Sequence, residues 1–247
     1  MRKWKRFEQF DHTTACYITD YILSANIFIC SAVLAVTKRK LKYKKEMVIK
    51  LLSSIGCLIL SLYSLLAAIV HHKFVNNDRY KLFSNLWFAS EMFGFVGFGL
   101  LFMVYCFVYF PINYVFVFVS AVLTIGMASI PWIIGECLFI LTPLTILDII
   151  MLVISLTLTW IKTKDSTKRK NLKIVVILQL LSISLMIFGV IAQLTQFNEQ
   201  SAFNHNAIYH LLFSVGFPLH ILTLILCIDY PDQNVQSMIT AQDQLYP

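Results

Sequence analysis

Charged side chains are scarce in this sequence. Asp, Glu, Lys and Arg make up 13% of its 247 residues, about half the share of a typical soluble domain. The charges that are present fall in short clusters between long apolar runs, and a transmembrane helix needs ~20 residues of such a run. The shortage of charge therefore argues against a soluble globular domain and predicts a polytopic helical membrane protein.

Several short motifs are also absent. No signal-peptide cleavage pattern precedes the first apolar run, so we expect that run to be a retained helix. The 6 cysteines include no Cys-x-x-Cys pair, which predicts small buried residues rather than a disulfide framework. No Asn-x-Ser/Thr acceptor occurs, so glycosylation gives no information on sidedness. No His-Glu-x-x-His or other contiguous metal motif is present, so a metal site would have to combine residues of different helices.

Seven apolar runs predict an all-α fold, a single domain over residues 1–247 that forms a seven-transmembrane-helix bundle. The tail at 229–247 is polar and is expected to be loose. The predicted spans are residues 14–36, 48–70, 84–109, 114–134, 137–161, 174–195 and 205–228.

Basic residues set the expected orientation. The two large clusters of Lys and Arg lie at 38–45 and 162–173, in linkers that seven spans place on the same side as the C-terminus. Such clusters favour the cytoplasmic side. We therefore expect a cytoplasmic C-terminus and an N-terminus that is outside or lumenal, although the basic N-terminal tail opposes this assignment.

Polar residues converge at one membrane face when the seven spans are threaded. Five of the six histidines belong to this set, and only His220 lies deeper. One such histidine is typical of an interfacial side chain, but polar groups at membrane depth are costly, and five together favour a shared site. The set comprises His12, Asp20, His71, His72, Asp78, Asn85, Ser90, Glu91, Glu136, Gln193, Gln196, His205 and His210.

A stripe of small residues follows the second span and ends at His71. Small residues let membrane helices approach closely, so the stripe predicts a packing seam that directs His71, and not His72, into the bundle. Ser90, Gly94 and Gly97 predict a similar face on the third span, and Glu91 next to it is compatible with either a cavity or the membrane interface. The stripe comprises Ser54, Cys57, Ser61, Ser64, Ala68 and His71, at intervals of 3, 4, 3, 4 and 3.

The last span opens with two histidines. Asn206 and His210 are four residues apart and share a helix face, whereas His205 and His210 are about 140° apart on an ideal helix. Both imidazoles can reach one centre only if His205 sits at or before the N-cap, and Asn206 is a candidate for that cap. The alternative is that residues 204–206 only cap the helix. Pro218 predicts a kink further along this span, near residue 214.

The polar set has the composition of a zinc site. Neutral imidazoles and a carboxylate are zinc ligands, and three protein ligands leave a position open for water or substrate. The expected ligands are His71, His210 and either His205 or Asp78.

The same residues resemble the alkaline ceramidase and progestin/adipoQ receptor superfamily. The shared features are seven helices, a histidine at the end of the second, an acidic residue before the third, and a histidine motif opening the seventh. The resemblance implies a membrane protein that holds zinc and hydrolyses a lipid amide. It implies metal or water ligands at His71, Asp78 and His210, with His205 or Asn206 near the remaining position.

The sequence departs from that superfamily at two motifs. His-x-x-x-His in the last helix reads Asn206-x-x-x-His210 here, and Ser-x-x-x-His near the second helix has Ala67 ahead of His71. Ser64 lies two turns before His71 on the same helix face. We therefore predict zinc ligands at His71, His205 and His210, and catalytic roles for Asp78 and Ser64.

A non-enzymatic protein is the alternative. A receptor-like or transporter-like bundle with a polar ligand-binding layer is favoured by Asp20, Glu91 and Asp148 at membrane depth. Haem ligation is disfavoured, because only His220 is a histidine well inside a span. The expected partner is a membrane lipid as substrate or ligand, with no nucleic acid and no evident soluble partner.

Overall fold

Almost all of the residues that the structure describes are helical. The computed structural model describes residues 13–36, 44–73, 80–109, 169–195 and 202–228, together with positions 122, 126, 150, 153, 154 and 157. Within these residues only positions 13 and 202–204 are not helical, and there is no strand. The predicted all-α class is confirmed.

Five helices account for this architecture. α1 and α5 have the predicted bounds, whereas the three helices between them begin four or five residues before the predicted spans. Hydropathy marks the membrane-embedded part of a helix, but lysine and glutamate are good helix formers and extend it beyond that part. The helices are α1 (Thr14–Val36), α2 (Lys44–Lys73), α3 (Tyr80–Tyr109), α4 (Arg169–Thr195) and α5 (His205–Ile228).

Four of these helices are long and apolar enough to cross a membrane. Their spanning segments are Thr14–Val36, Met47–Lys73, Asn85–Val104 and Lys173–Gln193. Large apolar side chains such as Phe28 and Ile177 are exposed on them, as lipid contact requires. The chain is therefore an integral membrane protein. The predicted spans at 114–134 and 137–161 lie outside the described residues apart from single positions, so seven spans remain a prediction.

The described helices pack in the order α3–α2–α1–α5–α4, with α1 in the middle. Two reciprocal pairs of serines join α1 to α2. Ser24 and Ser61 each donate a hydroxyl hydrogen bond to the other's backbone carbonyl, at 2.9 and 3.0 Å. Ser31 and Ser54 do the same at 2.8 and 3.0 Å. The small-residue stripe of α2 is therefore a packing seam, as predicted.

The other face of α2 packs closely on α3. A Cβ atom on Gly97 would lie only 2.5 Å from Cγ of Leu60 and 3.2 Å from the carbonyl of Gly56, so only glycine fits there. About two turns toward the start of α3, Ser90 donates a hydrogen bond to the carbonyl of Tyr63 at 3.0 Å. Ser90 and Gly97 therefore form part of the predicted close-packing face.

Pro218 is accommodated inside α5 by neighbouring helices. Proline lacks the N–H that would bond the carbonyl four residues earlier, which belongs to Ser214. The Asn26 side chain of α1 donates to that carbonyl at 3.0 Å, and Ser182 of α4 donates to the Gly216 carbonyl at 2.8 Å. A backbone carbonyl freed in a membrane helix needs such a partner, and Asn26 supplies it for Ser214. The bond from Ser182 reaches a carbonyl that the proline does not free, and the two bonds together connect α5 to α1 and α4.

Candidate functional site

A cavity of about 50 Å³ lies between α1, α2, α3 and α5. One ordered water needs about 10–15 Å³, so the cavity has room for several. Its walls change from polar to apolar in the same direction along three helices: from Asp20 to Ile27, from His210 to Phe217, and from His71 back to Leu60. The lining residues are Asp20, Leu23, Ile27, Leu60, Tyr63, Ser64, Ala67, His71, Trp87, Phe98, Tyr209, His210, Phe213 and Phe217.

Asp20 and His210 meet at the polar end of this cavity. Oδ1 of Asp20 lies 3.1 Å from Nδ1 of His210, and the two side chains are 2% and 15% exposed. Cys16 lies one turn before Asp20 on the same face of α1. The three potential ligand atoms all lie within 4.8 Å of one another.

The donor set of this cluster suits a divalent transition metal. Thiolate, carboxylate and imidazole are the three kinds of ligand that zinc takes from proteins. With bond lengths of about 2.0–2.3 Å, tetrahedral zinc holds its ligands roughly 3.5 Å apart, and the three atoms of the cluster are within 4.8 Å of one another. Within the described residues this is the one group of three or more such side chains.

The second helix contributes His71 and Ser64 to the cavity wall. His71 is buried, and its ring meets Trp87 edge-on with the ring centroids 5.5 Å apart. Ser64 is also buried, and its Oγ has no hydrogen-bond partner within the described residues. Its hydroxyl is therefore available to a group inside the cavity.

His72 is exposed, in contrast to His71. It stacks on Tyr17, with centroids 4.4 Å apart, and its Nδ1 lies 3.3 Å from the hydroxyl of Tyr21. The prediction that α2 turns His71 and not His72 inward is confirmed. The small-residue stripe of α2 was sufficient to predict this orientation, because His71 lies on it and His72 does not.

The N-cap of α5 is Asn204, so the suggestion that Asn206 caps this helix was wrong. Oδ1 of Asn204 accepts from the Ala207 N–H at 3.3 Å, and its carbonyl accepts from the Ile208 N–H at 3.0 Å. An asparagine two residues earlier makes an equally good cap, and the sequence alone did not separate the two.

His205 is then the first residue of α5 and lies after the cap. Its position does not meet the condition under which it could share a centre with His210. It does not line the cavity or belong to the cluster of Cys16, Asp20 and His210. His71 does line the cavity. As metal ligands, both His205 and His71 remain predictions. The predicted catalytic Asp78 lies outside the described residues.

Glu91 faces the bundle interior, which decides between the two orientations left open by the sequence. It is 2% exposed, and its Oε2 has no hydrogen-bond partner within the described residues.

Cys16 is the residue that sequence reasoning missed. Its spacing of four from Asp20 was visible, but nothing in the sequence placed α1 beside α5.

No protein-family model matches the chain, and neither does any curated protein or solved structure. The chemistry of the site is therefore argued from its own residues.

Proposed function

We propose that the chain is a zinc-dependent membrane hydrolase that acts on lipid amides, with the cavity as its reaction chamber. The observation that carries this proposal is the meeting of Asp20, Ser64 and His210 with His71 in one buried cavity. These residues come from three helices that are far apart in the sequence. Buried ionisable groups at membrane depth are costly and mark functional sites.

The bound metal, Ser64 and His71 would each have a role in such a reaction. Bound zinc would polarise the amide carbonyl and lower the pKa of a water molecule. The Ser64 hydroxyl would donate a hydrogen bond to the carbonyl oxygen, since no described residue competes for it. His71, buried and oriented by Trp87, would transfer a proton to the leaving amine.

The apolar end of the cavity supports a lipid substrate. Ile27, Leu60 and Phe217 line the wall below the polar groups, so an acyl chain attached to the amide would meet apolar surface. At about 50 Å³ the cavity has room for only a few groups the size of a water molecule, such as the reacting amide and the first part of the chain. We therefore expect the remainder of the lipid to lie outside the cavity.

Hydrolysis of a lipid amide by the purified chain tests this function. The chain in detergent micelles, supplied with zinc and an N-acylated sphingoid base, should release free fatty acid. Ser64→Ala and His71→Gln should each lower the rate by about 10²-fold or more, the range of general acid–base and oxyanion contributions. His72→Gln is the matched control and should keep the rate. Absence of zinc-dependent release of fatty acid from this substrate would refute the function.

A second function is favoured by Glu91. Its buried carboxyl and that of Asp20 lie in separate helices at membrane depth, as in transporters that move protons through chains of ionisable groups. Reconstituted vesicles with an imposed pH gradient test it. Proton flux that Glu91→Gln abolishes supports a transporter-like bundle, and no flux above protein-free vesicles rejects it.

A further inference from the structure

We propose that Cys16, Asp20 and His210 are the metal ligands, so that the first helix supplies two of the three. This inference deepens the proposed function, because it names the ligands of the metal on which the hydrolase would depend. It differs from the ligand set that the sequence predicts, in which all three residues are histidines.

The helix α1 is built to present Cys16 and Asp20 together. They are four residues apart and therefore share one face, and both are buried. Thr13 caps the helix: its hydroxyl oxygen accepts a hydrogen bond from the Cys16 N–H at 3.4 Å. Cys16 thus lies in the first turn, where the helix dipole stabilises negative charge such as that of a thiolate.

The helix α5 brings His210 to the same place. Its Nδ1 lies 3.1 Å from Oδ1 of Asp20, and the bond from Asn26 to the Ser214 carbonyl holds α1 and α5 in this register. With all three ligand atoms within 4.8 Å of one another, shifts of about an ångström reach the tetrahedral spacing of roughly 3.5 Å.

Charge balance identifies the class of ion. Cys16 and Asp20 are buried in a membrane-embedded setting, and as metal ligands their thiolate and carboxylate would carry two negative charges. Buried charges are tolerated when they are neutralised or bind a metal, and one divalent cation brings this site to zero. The thiolate favours zinc over magnesium or calcium, which prefer oxygen ligands.

The fourth position is left for a ligand inside the cavity. Asp20 and His210 line the same cavity as Ser64 and His71, so an ion at the cluster would face those two side chains. Three protein ligands with an open position are the arrangement of catalytic rather than structural zinc.

Asp20 could instead orient the His210 ring without binding the metal, and the two arrangements differ in whether the metal has a sulfur ligand. A carboxylate beside a histidine can orient that ring while the other ring nitrogen binds the metal. In that arrangement the metal would bind Nε2 of His210 instead of the Nδ1 that faces Asp20, and Cys16 would not be a ligand. The presence of sulfur therefore separates the two arrangements.

X-ray absorption of the zinc-loaded full-length chain in micelles measures this directly. We expect one sulfur neighbour at about 2.3 Å and two or three nitrogen or oxygen neighbours at about 2.0–2.2 Å. The cobalt-loaded chain should show the near-ultraviolet thiolate-to-cobalt absorption, and Cys16→Ser should abolish it. Cys30→Ser is the matched control, since Cys30 lies on α1 outside the cluster, and it should leave the band unchanged.

These outcomes are independent of catalysis. A zinc site with no sulfur neighbour, or a chain that binds no zinc, overturns the ligand assignment. A sulfur-containing site in a chain that hydrolyses no lipid amide keeps the assignment and rejects the hydrolase. Zinc-dependent hydrolysis that is unchanged in Cys16→Ser keeps the hydrolase and rejects the ligand assignment. If Cys16→Ser does not fold, the absorption measurement on the unaltered chain still tests whether the zinc has a sulfur ligand.

Discussion

The side-chain amide of Asn26 donates a 3.0 Å hydrogen bond to the backbone carbonyl of Ser214. That carbonyl is the one from which Pro218 removes the helical donor. A defect in α5 is thus satisfied by α1, and the same two helices carry Asp20 and His210. The bond therefore both compensates the proline and fixes the register of the site.

The compensation predicts a coupling between Asn26 and Pro218. Asn26→Leu should lower the free energy of unfolding by about 0.6–1.7 kcal/mol, the range for interhelical hydrogen bonds in membranes, because it leaves the Ser214 carbonyl without its donor. In a Pro218→Ala background the Ala N–H can bond that carbonyl, so the same substitution should cost less. Unfolding of the four proteins of this double-mutant cycle in mixed micelles measures the coupling.

Equal costs of Asn26→Leu in both backgrounds would mean that Asn26 does not substitute for the missing donor.

Close packing of α2 on α3 predicts a large effect of one methyl group. Gly97→Ala places a Cβ atom 2.5 Å from Cγ of Leu60, and overpacking of this kind costs about 1–3 kcal/mol. Gly126→Ala is the control, because a Cβ there has no atom within 4 Å. Thermal unfolding in micelles should show a lower Tm for the first and little change for the second. A Gly97→Ala chain as stable as the unaltered chain contradicts the packing.

The serine seam between α1 and α2 predicts a dependence on helix face. Ser61→Leu adds bulk at a position whose hydroxyl bonds the Ser24 carbonyl at 3.0 Å, and it should reduce the yield of folded protein strongly. Leu62→Phe adds bulk on the exposed face and should be tolerated. Size-exclusion yield of monodisperse protein compares them. If the two yields fall equally, the seam does not determine how α1 and α2 assemble.

The seven-span arrangement predicts sidedness outside the described residues. Cysteines introduced at Thr37, Ser166 and Gln242 should all react with a membrane-impermeant thiol reagent from one side, because the first and fifth linkers and the C-terminus share it. Native Cys16 and Cys57 are buried and should contribute little background. Labelling of one of the three positions from the opposite side contradicts seven spans.

Hydropathy was sufficient to predict the five described helices apart from the residues that extend three of them, and small-residue spacing was sufficient to orient His71. The burial of Glu91 was left open, because a residue about 100° from a packing face can be on either side of the interface. The cluster of Cys16, Asp20 and His210 was beyond sequence reasoning for a different reason. Cys16 and His210 belong to the first and last of the described helices, and only packing reveals that these two are neighbours.

The most direct test is the metal content of the purified full-length chain and its single-residue variants, measured by mass spectrometry. We predict about one zinc per chain in the unaltered protein and loss of most of it in Asp20→Asn and His210→Ala, since incomplete coordination weakens a site strongly. His71→Ala should keep the zinc, because His71 lines the cavity without belonging to the cluster. A folded chain without zinc, or zinc that is lost in His71→Ala but kept in Asp20→Asn, would contradict this account.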